Sequence, residues 1–215
     1  MKYWPLVWSA LWRKPAEALL IWLAVTVSFA LFALMVGLHA TYDKIIATSR
    51  LDRLYVNARF PTASPTGVLL PFAVRDQIER VKGVSAASSV YYLWGYYQDP
   101  HRRARVIAVD EHMRSAWPEL PLTAAQWDQL LATPAGVFMS RGPSARLGLK
   151  TGDTLPLITP PGTRADGAPA WEFHVLGVVP DMPGVGAIII GNLGFVDKSR
   201  PLESRGYAQE FRVAV

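Results

Sequence analysis

Apolar side chains at the start of the chain recur with a helical period. Trp4, Trp8, Leu11 and Trp12 are spaced by three or four residues, which places them on one face of a short helix. Tryptophan favours the headgroup layer of a membrane, so residues 1–15 are predicted to form an amphipathic interfacial helix. The same face also suits a contact surface for a partner protein, and the two interpretations are compatible.

A second pattern, an unbroken apolar run, follows directly. From Ala18 to Leu38 there are 21 residues without a charge, which as a helix span about 31 Å, close to the thickness of a hydrocarbon core. Thr26 and Ser28 can donate to the helix's own carbonyls. A signal peptide has a shorter apolar region, and a buried core helix is rarely apolar over this length. We therefore predict a transmembrane helix with an outer extension over residues 16–47.

Charges beside this helix predict its orientation. Arg13 and Lys14 flank the N-terminal side with Lys2 behind them, whereas Asp43 offsets Lys44 on the other side. By the positive-inside rule, the N-terminal segment lies in the cytoplasm and everything after the helix lies outside. The chain has no cysteine, which suits a bacterial periplasm, so the predicted location is the bacterial inner membrane.

The rest of the chain mixes strand-like and helix-like patterns. Asp99-Pro100 supplies a hairpin turn, and Thr123 with Gln126 has the spacing of a helix capping box. Helix and strand do not alternate strictly, which predicts an α+β fold with largely antiparallel sheets. Strands are predicted at 54–60, 84–97, 103–109, 137–139, 154–158, 172–179, 187–190 and 211–215, and helices at 72–81, 123–131 and briefly after Ser140.

A turn after the third helix has its own signature. Ser140 is placed to cap that helix, and Gly148 stands where a left-handed residue ends it. Gly152 and Asp153 then form a turn before the next strand. We assign Gly148, Gly152 and Asp153 a structural role, and expect the Pro/Gly-rich loop at 159–169 to be mobile.

Composition narrows the class of protein. Apolar residues make up 51% and charged residues 18%, below the roughly 25% of soluble proteins, so part of the apolar surface faces lipid. The net charge is +5, but Arg102, Arg103 and Arg105 are clustered without a longer basic stripe. Nucleic-acid binding is therefore not expected. Absence of cysteine excludes disulfides, thiolate metal sites and cysteine nucleophiles.

Candidate chemistry is sparse. The sequence has no Gly-Lys phosphate loop, no nucleophile elbow and no zinc-binding HExxH pattern. Asp110-Glu111-His112 makes a poor metal site with one histidine, and His174 alternates within a strand. Asp181 follows a turn-like segment and is assigned to turn capping, as are the glycines of 184–194 to a turn. We predict no catalytic residue, no cofactor and no metal site.

One segment is more specific than these. Residues 137–155 read VFMSRGPSARLGLKTGDTL, and 175–179 read VLGVV. This order resembles the periplasmic core domain of MacB-type ABC transporter permeases, a family that includes FtsX-like and LolC-like proteins. The opening is similar too, with an amphipathic helix, the Lys14-Pro15 pair and a first transmembrane helix. The stretch IERVKGV at 78–84 resembles the family's helix before a strand.

The resemblance implies a fold and a role. The core domain over 48–215 would comprise an α/β part, 48–120 and 187–215, with a smaller mostly-β insertion at 121–186. The protein would be no enzyme. It would pair with a cytoplasmic ABC ATPase, as a homodimer or with a paired permease subunit, and transmit the ATPase's motion through its helix to substrate export or other periplasmic work. A periplasmic or outer-membrane partner is also implied.

Other interpretations stay open. Members of this family continue into three more transmembrane helices, which these 215 residues do not contain, so a piece of a longer protein, a split gene and a short protein all fit. A single-pass, membrane-anchored periplasmic binding or scaffold protein independent of ATP is the main alternative. An anchored periplasmic hydrolase lacks a nucleophile–base pattern. Substrate and transport direction are not readable from the sequence.

Overall fold

The chain has two structural units. The computed structural model describes residues 13–48, 52–58, 68–182 and 186–215. These divide into an N-terminal unit, Met1–Ser49, and a second compact unit, Arg50–Val215. The amphipathic helix predicted for residues 1–15, with its tryptophan face, lies almost entirely outside the described residues and stays a prediction.

The first unit is one long helix, α1. It runs from Pro15 to Thr48, 34 residues or about 50 Å. Pro15–Asp43 is long and apolar enough to cross a membrane, with a mean hydropathy of 2.6. The Thr26 hydroxyl donates to the carbonyl of Trp22 at 2.8 Å, as the sequence predicted, and Ser28 bonds in the same way. Because its polar groups are satisfied internally, this helix suits an apolar surrounding.

The second unit mixes helices with a sheet. After α1 the helices are α2 (Ala73–Glu79), α3 (Met113–Ala116), α4 (Ala124–Ala132), α5 (Arg141–Leu147) and α6 (Leu193–Ser199), with a 3₁₀ turn at Leu202–Ser204. The strands are β1 (Arg53–Val56), β2 (Leu70–Pro71), β3 (Ala86–Tyr97), β4 (Arg103–Val109), β5 (Gly136–Ser140), β6 (Thr154–Ile158), β7 (Ala170–Val179), β8 (Ile189–Asn192), β9 (Tyr207–Ala208) and β10 (Glu210–Ala214).

Eight of these strands form one mixed sheet. Its order is β1-β10-β3-β4-β8-β5-β7-β6, and β2 pairs separately with β9. Within the described residues only the β4–β8 and β5–β7 pairings are parallel. The predicted α+β class with largely antiparallel pairing is therefore confirmed.

The sheet also closes on itself. Strand β6 returns to β3, where Tyr96 pairs with Ile158 and Tyr97 with Leu157. The strands β3, β4, β8, β5, β7 and β6 thus form a ring in the described part of the chain. Gly95 makes the closure possible, because a Cβ at this position would lie 2.3 Å from the carbonyl oxygen of Ile158.

The largest core fills this ring. It contains inward-facing side chains of all six ring strands and of helices α5 and α6. Trp171 stacks against Phe173, and Phe195 of α6 meets both rings edge-on at about 6 Å. A second core lies outside the ring, where α3 and α4 cover the sheet with Trp117 and Trp127.

The structure corrects several predicted elements. Helix α6 was not predicted, and the glycines assigned to a turn at 184–194 include Gly191 in β8 and Gly194 in α6. Strand β1 ends at Val56, short of the predicted 54–60, and β8 begins two residues later than predicted. The division of the core domain into an α/β part and an insertion at 121–186 stays a prediction. In the sheet, strands of that segment pair with strands that come before and after it.

Candidate functional site

The cytoplasm-facing end predicted for α1 carries a compact charge pattern. Lys14 donates to a carboxylate oxygen of Glu17 at 2.7 Å, and both side chains are largely exposed. Arg13 is exposed beside them. Both anchors predicted from the positive-inside rule therefore lie at the start of the apolar helix. Trp4, Trp8, Leu11 and Trp12 lie outside the described residues.

The glycine turn after α5 is held by backbone bonds. Gly148 ends the helix at φ +68°, a left-handed conformation. Gly152 has φ +92°, and its N–H donates to the carbonyl of Val175 in β7 at 2.8 Å. The Asp153 carboxylate accepts from the N–H of Lys150 at 2.7 Å. The exposed Lys150 side chain leaves the turn pointing to solvent, so the turn joins α5 to β7 without using that cation.

The start of α5 is capped differently from the prediction. Ser140 occupies the N-cap position, but its hydroxyl accepts from the N–H of Ile188 at 3.1 Å and makes no cap bond. Asp181 supplies the cap from outside the helix, accepting from the N–H of Gly142 at 2.9 Å. That bond, with a further one from Ser140, lowers the pKa of Asp181. Asp181 was predicted to cap a turn and instead caps helix α5, whereas Ser140, which was predicted to cap this helix, accepts from the backbone of Ile188.

Arg102, one of the three clustered arginines, has a structural function. Its guanidinium donates to the carbonyl of Leu147 at 2.7 Å and to that of Arg146 at 3.3 Å. It also lies 5.1 Å from the ring centre of Tyr97. These carbonyls end helix α5, where a cation is favourable. Arg102 therefore joins the β3–β4 hairpin to α5.

The other two clustered arginines line a concave surface of the second unit. This surface, the arginine groove, has a volume of about 740 Å³ and lies between the first half of β4, the start of β8 and helix α5. Its walls include Trp94, Arg103, Arg105, Arg146 and Ile158. The arginine cluster was evident in the sequence, but the groove was not predicted, because Arg146 and Ile158 are distant from the cluster in sequence.

Stacking fixes one of these cations. The Arg105 guanidinium lies 4.9 Å from the ring centre of Trp94 and 5.2 Å from that of Tyr92. Trp94 is its cross-strand neighbour and is 53% exposed. Cation–π contact of this kind holds a guanidinium in place without neutralising it. The groove therefore presents an ordered positive charge beside an exposed aromatic ring.

A half-buried ionic cluster lies farther along the same sheet. Arg212 donates to the phenol oxygen of Tyr92 at 2.8 Å and pairs with Glu210, while its guanidinium lies 4.0 Å from the ring centre of Tyr55. Burial raises the pKa of Glu210, although Arg212 opposes the shift. Burial also raises the pKa of Tyr92. Every ionisable group in the cluster has a partner, which favours a structural role.

The residues considered in the sequence as metal ligands or catalytic groups do not come together in one site. Asp110 accepts from the hydroxyl of Ser88 at 2.7 Å and from backbone N–H groups, which makes it a turn and strand cap. His174 is exposed on β7, with Thr154 at 3.4 Å. Within the described ranges no three His, Asp or Glu side chains lie close enough together to hold a metal ion.

Comparison with known proteins gives structural neighbours only. No family model and no curated protein matches the chain. The extracellular domain of the ABC-type transporter YknZ from Gram-positive bacteria is similar in structure, with a TM-score of 0.47 and 12% identity, covering 76% of this chain and 81% of that one. The periplasmic region of MacB from Actinobacillus actinomycetemcomitans gives 0.48 and 13%, covering 80% and 79%. At these values the likeness assigns neither a family nor a function to this chain.

Proposed function

We propose that this chain is the membrane-anchored periplasmic core of an ABC transporter permease, which passes the motion of a cytoplasmic ATPase to substrate or to a partner outside the membrane. The observation that carries the proposal is the segment from Val137 to Leu155. It folds as strand β5, helix α5, a left-handed glycine, a tight turn and strand β6. This is the local structure implied by the sequence motif on which the resemblance rests.

Helix α1 supports the coupling role. It continues about ten residues beyond the apolar run ending at Leu38, and a helix of this length is a stiff element. The positive side chains Arg13 and Lys14 support an orientation in which its start lies in the cytoplasm. A displacement imposed there would reach residues outside the membrane through one secondary-structure element. The proposed partners are therefore an ATPase inside and a second permease subunit or a second copy within the membrane.

The chain itself is proposed to do no chemistry. Near the groove and the glycine turn, Arg102, Asp153 and Asp181 bond to backbone groups and Arg105 stacks on Trp94. Energy would have to come from a partner, because the sequence has no Gly-Lys phosphate loop. In this proposal the ATPase binds the nucleotide, and this chain acts in the periplasm.

Photo-crosslinking from the cytoplasmic segment tests the ATPase partner. A photoreactive phenylalanine at Trp8 or Trp12 in the full chain, irradiated in the native host, should give an adduct with a soluble ATPase that mass spectrometry identifies. The same residue at Trp22, inside the apolar run, is the matched control and should give no such adduct. Adducts with lipid alone at Trp8 and Trp12 would contradict the coupling role and favour the ATP-independent anchored protein.

A further inference from the structure

The first half of one edge of strand β4 has no strand beside it in the described residues. Strand β4 pairs with β3 along its whole length, from Arg103 to Val109. Its pairing with β8 covers only Ile107 to Val109. The backbone of residues 103–106 therefore borders the arginine groove where a further strand would otherwise lie.

The hydrogen-bond phase shows which backbone groups face the groove. The N–H of Tyr97 donates to the carbonyl of Arg102 at 3.0 Å, so this pair is hydrogen-bonded across the hairpin. Such pairs alternate along an antiparallel ladder. The N–H and C=O of Ala104 accordingly point to β3, whereas those of Arg103 and Arg105 point away from it. Two donors and two acceptors are thus presented toward the groove.

The positive charge of the groove favours an acidic ligand. Among the described residues that line it, three are arginines and none is acidic. Arg103 and Arg146 are exposed, and neither has an ion-pair partner in the described part of the chain. Arg105 is held over Trp94 by stacking. An occupant with carboxylates would gain charge-assisted contacts with Arg103 and Arg146.

This edge lies in a concave surface, unlike edge strands that are protected from pairing with another sheet. Charged side chains on a flat edge strand commonly prevent sheets from joining. Here the edge lies inside a groove of about 740 Å³, whose opposite wall contains Pro143 and Arg146 of α5. An extended segment in this groove would contact both β4 and α5. Peptides that add to a sheet edge gain affinity from the backbone and specificity from alternate side chains.

We propose that the arginine groove binds an extended, acidic segment of a periplasmic partner protein, which adds as a strand beside Arg103–Arg105. Its carboxylates contact Arg103 and Arg146, and an apolar side chain at an alternate position packs on Trp94. The inference rests on the proposed periplasmic location of this unit, but it does not depend on coupling to an ATPase.

The test measures peptide binding to the full chain in a neutral detergent. The probe is a fluorescein-labelled, eight-residue peptide that alternates glutamate with valine or threonine, followed by fluorescence anisotropy. We expect saturable binding that weakens with salt and falls about tenfold or more in the Arg103→Gln/Arg146→Gln double variant. Arg114→Gln, an exposed arginine outside the groove, is the matched control and should bind as wild type does.

Two further peptides separate strand addition from charge attraction alone. Methylation of alternate backbone nitrogens removes the donors needed for pairing and should abolish binding. A lysine-for-glutamate peptide should not bind. Equal binding of the methylated or the lysine peptide, or no binding of the first peptide, would overturn the proposal. Binding only of anionic lipid vesicles at the same arginines would assign the groove to a membrane surface instead.

Hydrogen exchange of the backbone amides distinguishes strand addition from charge attraction, because charge attraction alone would not protect these amides. With the peptide bound, the amides of Arg103 and Arg105 should gain protection, whereas that of Ala104, already directed to β3, should not. Unchanged exchange at both arginines would contradict strand addition. Peptide binding without an ATPase adduct at Trp8 or Trp12 would leave this inference standing and refute only the coupling role.

Discussion

Replacement of Gly95 by alanine should open the ring of strands. The added Cβ would lie 2.3 Å from the backbone oxygen of Ile158 and 2.9 Å from a side-chain carbon of the buried Leu157. The first distance is about 1 Å inside ordinary contact, and a backbone atom cannot move away as a side-chain end can. Overpacking costs about 1–3 kcal/mol, and loss of a closing hydrogen bond about 1 kcal/mol more.

The expected loss in the free energy of unfolding is therefore about 2–4 kcal/mol, which corresponds to a fall of about 10 °C in melting temperature for a unit of this size. Near-ultraviolet circular dichroism of the full chain in detergent measures it. Gly194→Ala is the matched control, because a Cβ there meets only the end of the Asn192 side chain at 3.2 Å. If Gly95→Ala and the control had the same melting temperature, the pairing of β6 with β3 would be wrong.

Four further variants test the glycine turn and the ionic cluster. Gly148→Val or Gly152→Val should each cost about 1–2 kcal/mol or more, because a branched side chain disfavours their left-handed backbone; unchanged melting would contradict the turn. Lys150→Ala, in the same turn, should change stability by less than about 0.5 kcal/mol, since the side chain is exposed; a larger loss would show a missed contact. Burial raises the pKa of Glu210, so the stability linked to its proton is present at low pH and lost as pH rises. The melting temperature of Glu210→Gln relative to that of wild type should therefore rise as the pH is raised above about 4, the ordinary pKa of a glutamate. A difference that stays constant with pH would contradict the burial argument.

Local signals made part of the fold predictable. The hairpin of β3 and β4 was predicted with nearly its observed bounds, because Asp99-Pro100 interrupts two β-branched and aromatic runs. The capping box of α4 was also correct, with Thr123 accepting from the N–H of Gln126 and that side chain bonding back. In both cases the decisive contacts lie within a few residues along the chain.

Long-range contacts account for what the sequence did not show. Helix α6 contains Gly194 and follows Gly191, so propensity favours a turn, but Leu193 and Val196 are buried in the ring and packing outweighs propensity. The arginine groove likewise needs β8 to begin late beside β4 and α5 to stand opposite. The arginine cluster at 102–105 was the one sequence feature that pointed to the groove, and Arg102 of that cluster has a structural role instead.

The central claim is that α1 spans the membrane, with its N-terminal end in the cytoplasm and the second unit outside. This topology can be measured directly with introduced cysteines, because the chain has none of its own. Single cysteines introduced as Lys2→Cys and Lys150→Cys would be probed with a membrane-impermeant maleimide in intact spheroplasts. We expect labelling at position 150 at once, and at position 2 only after the membrane is permeabilised. The reverse pattern, or immediate labelling of both, would contradict it.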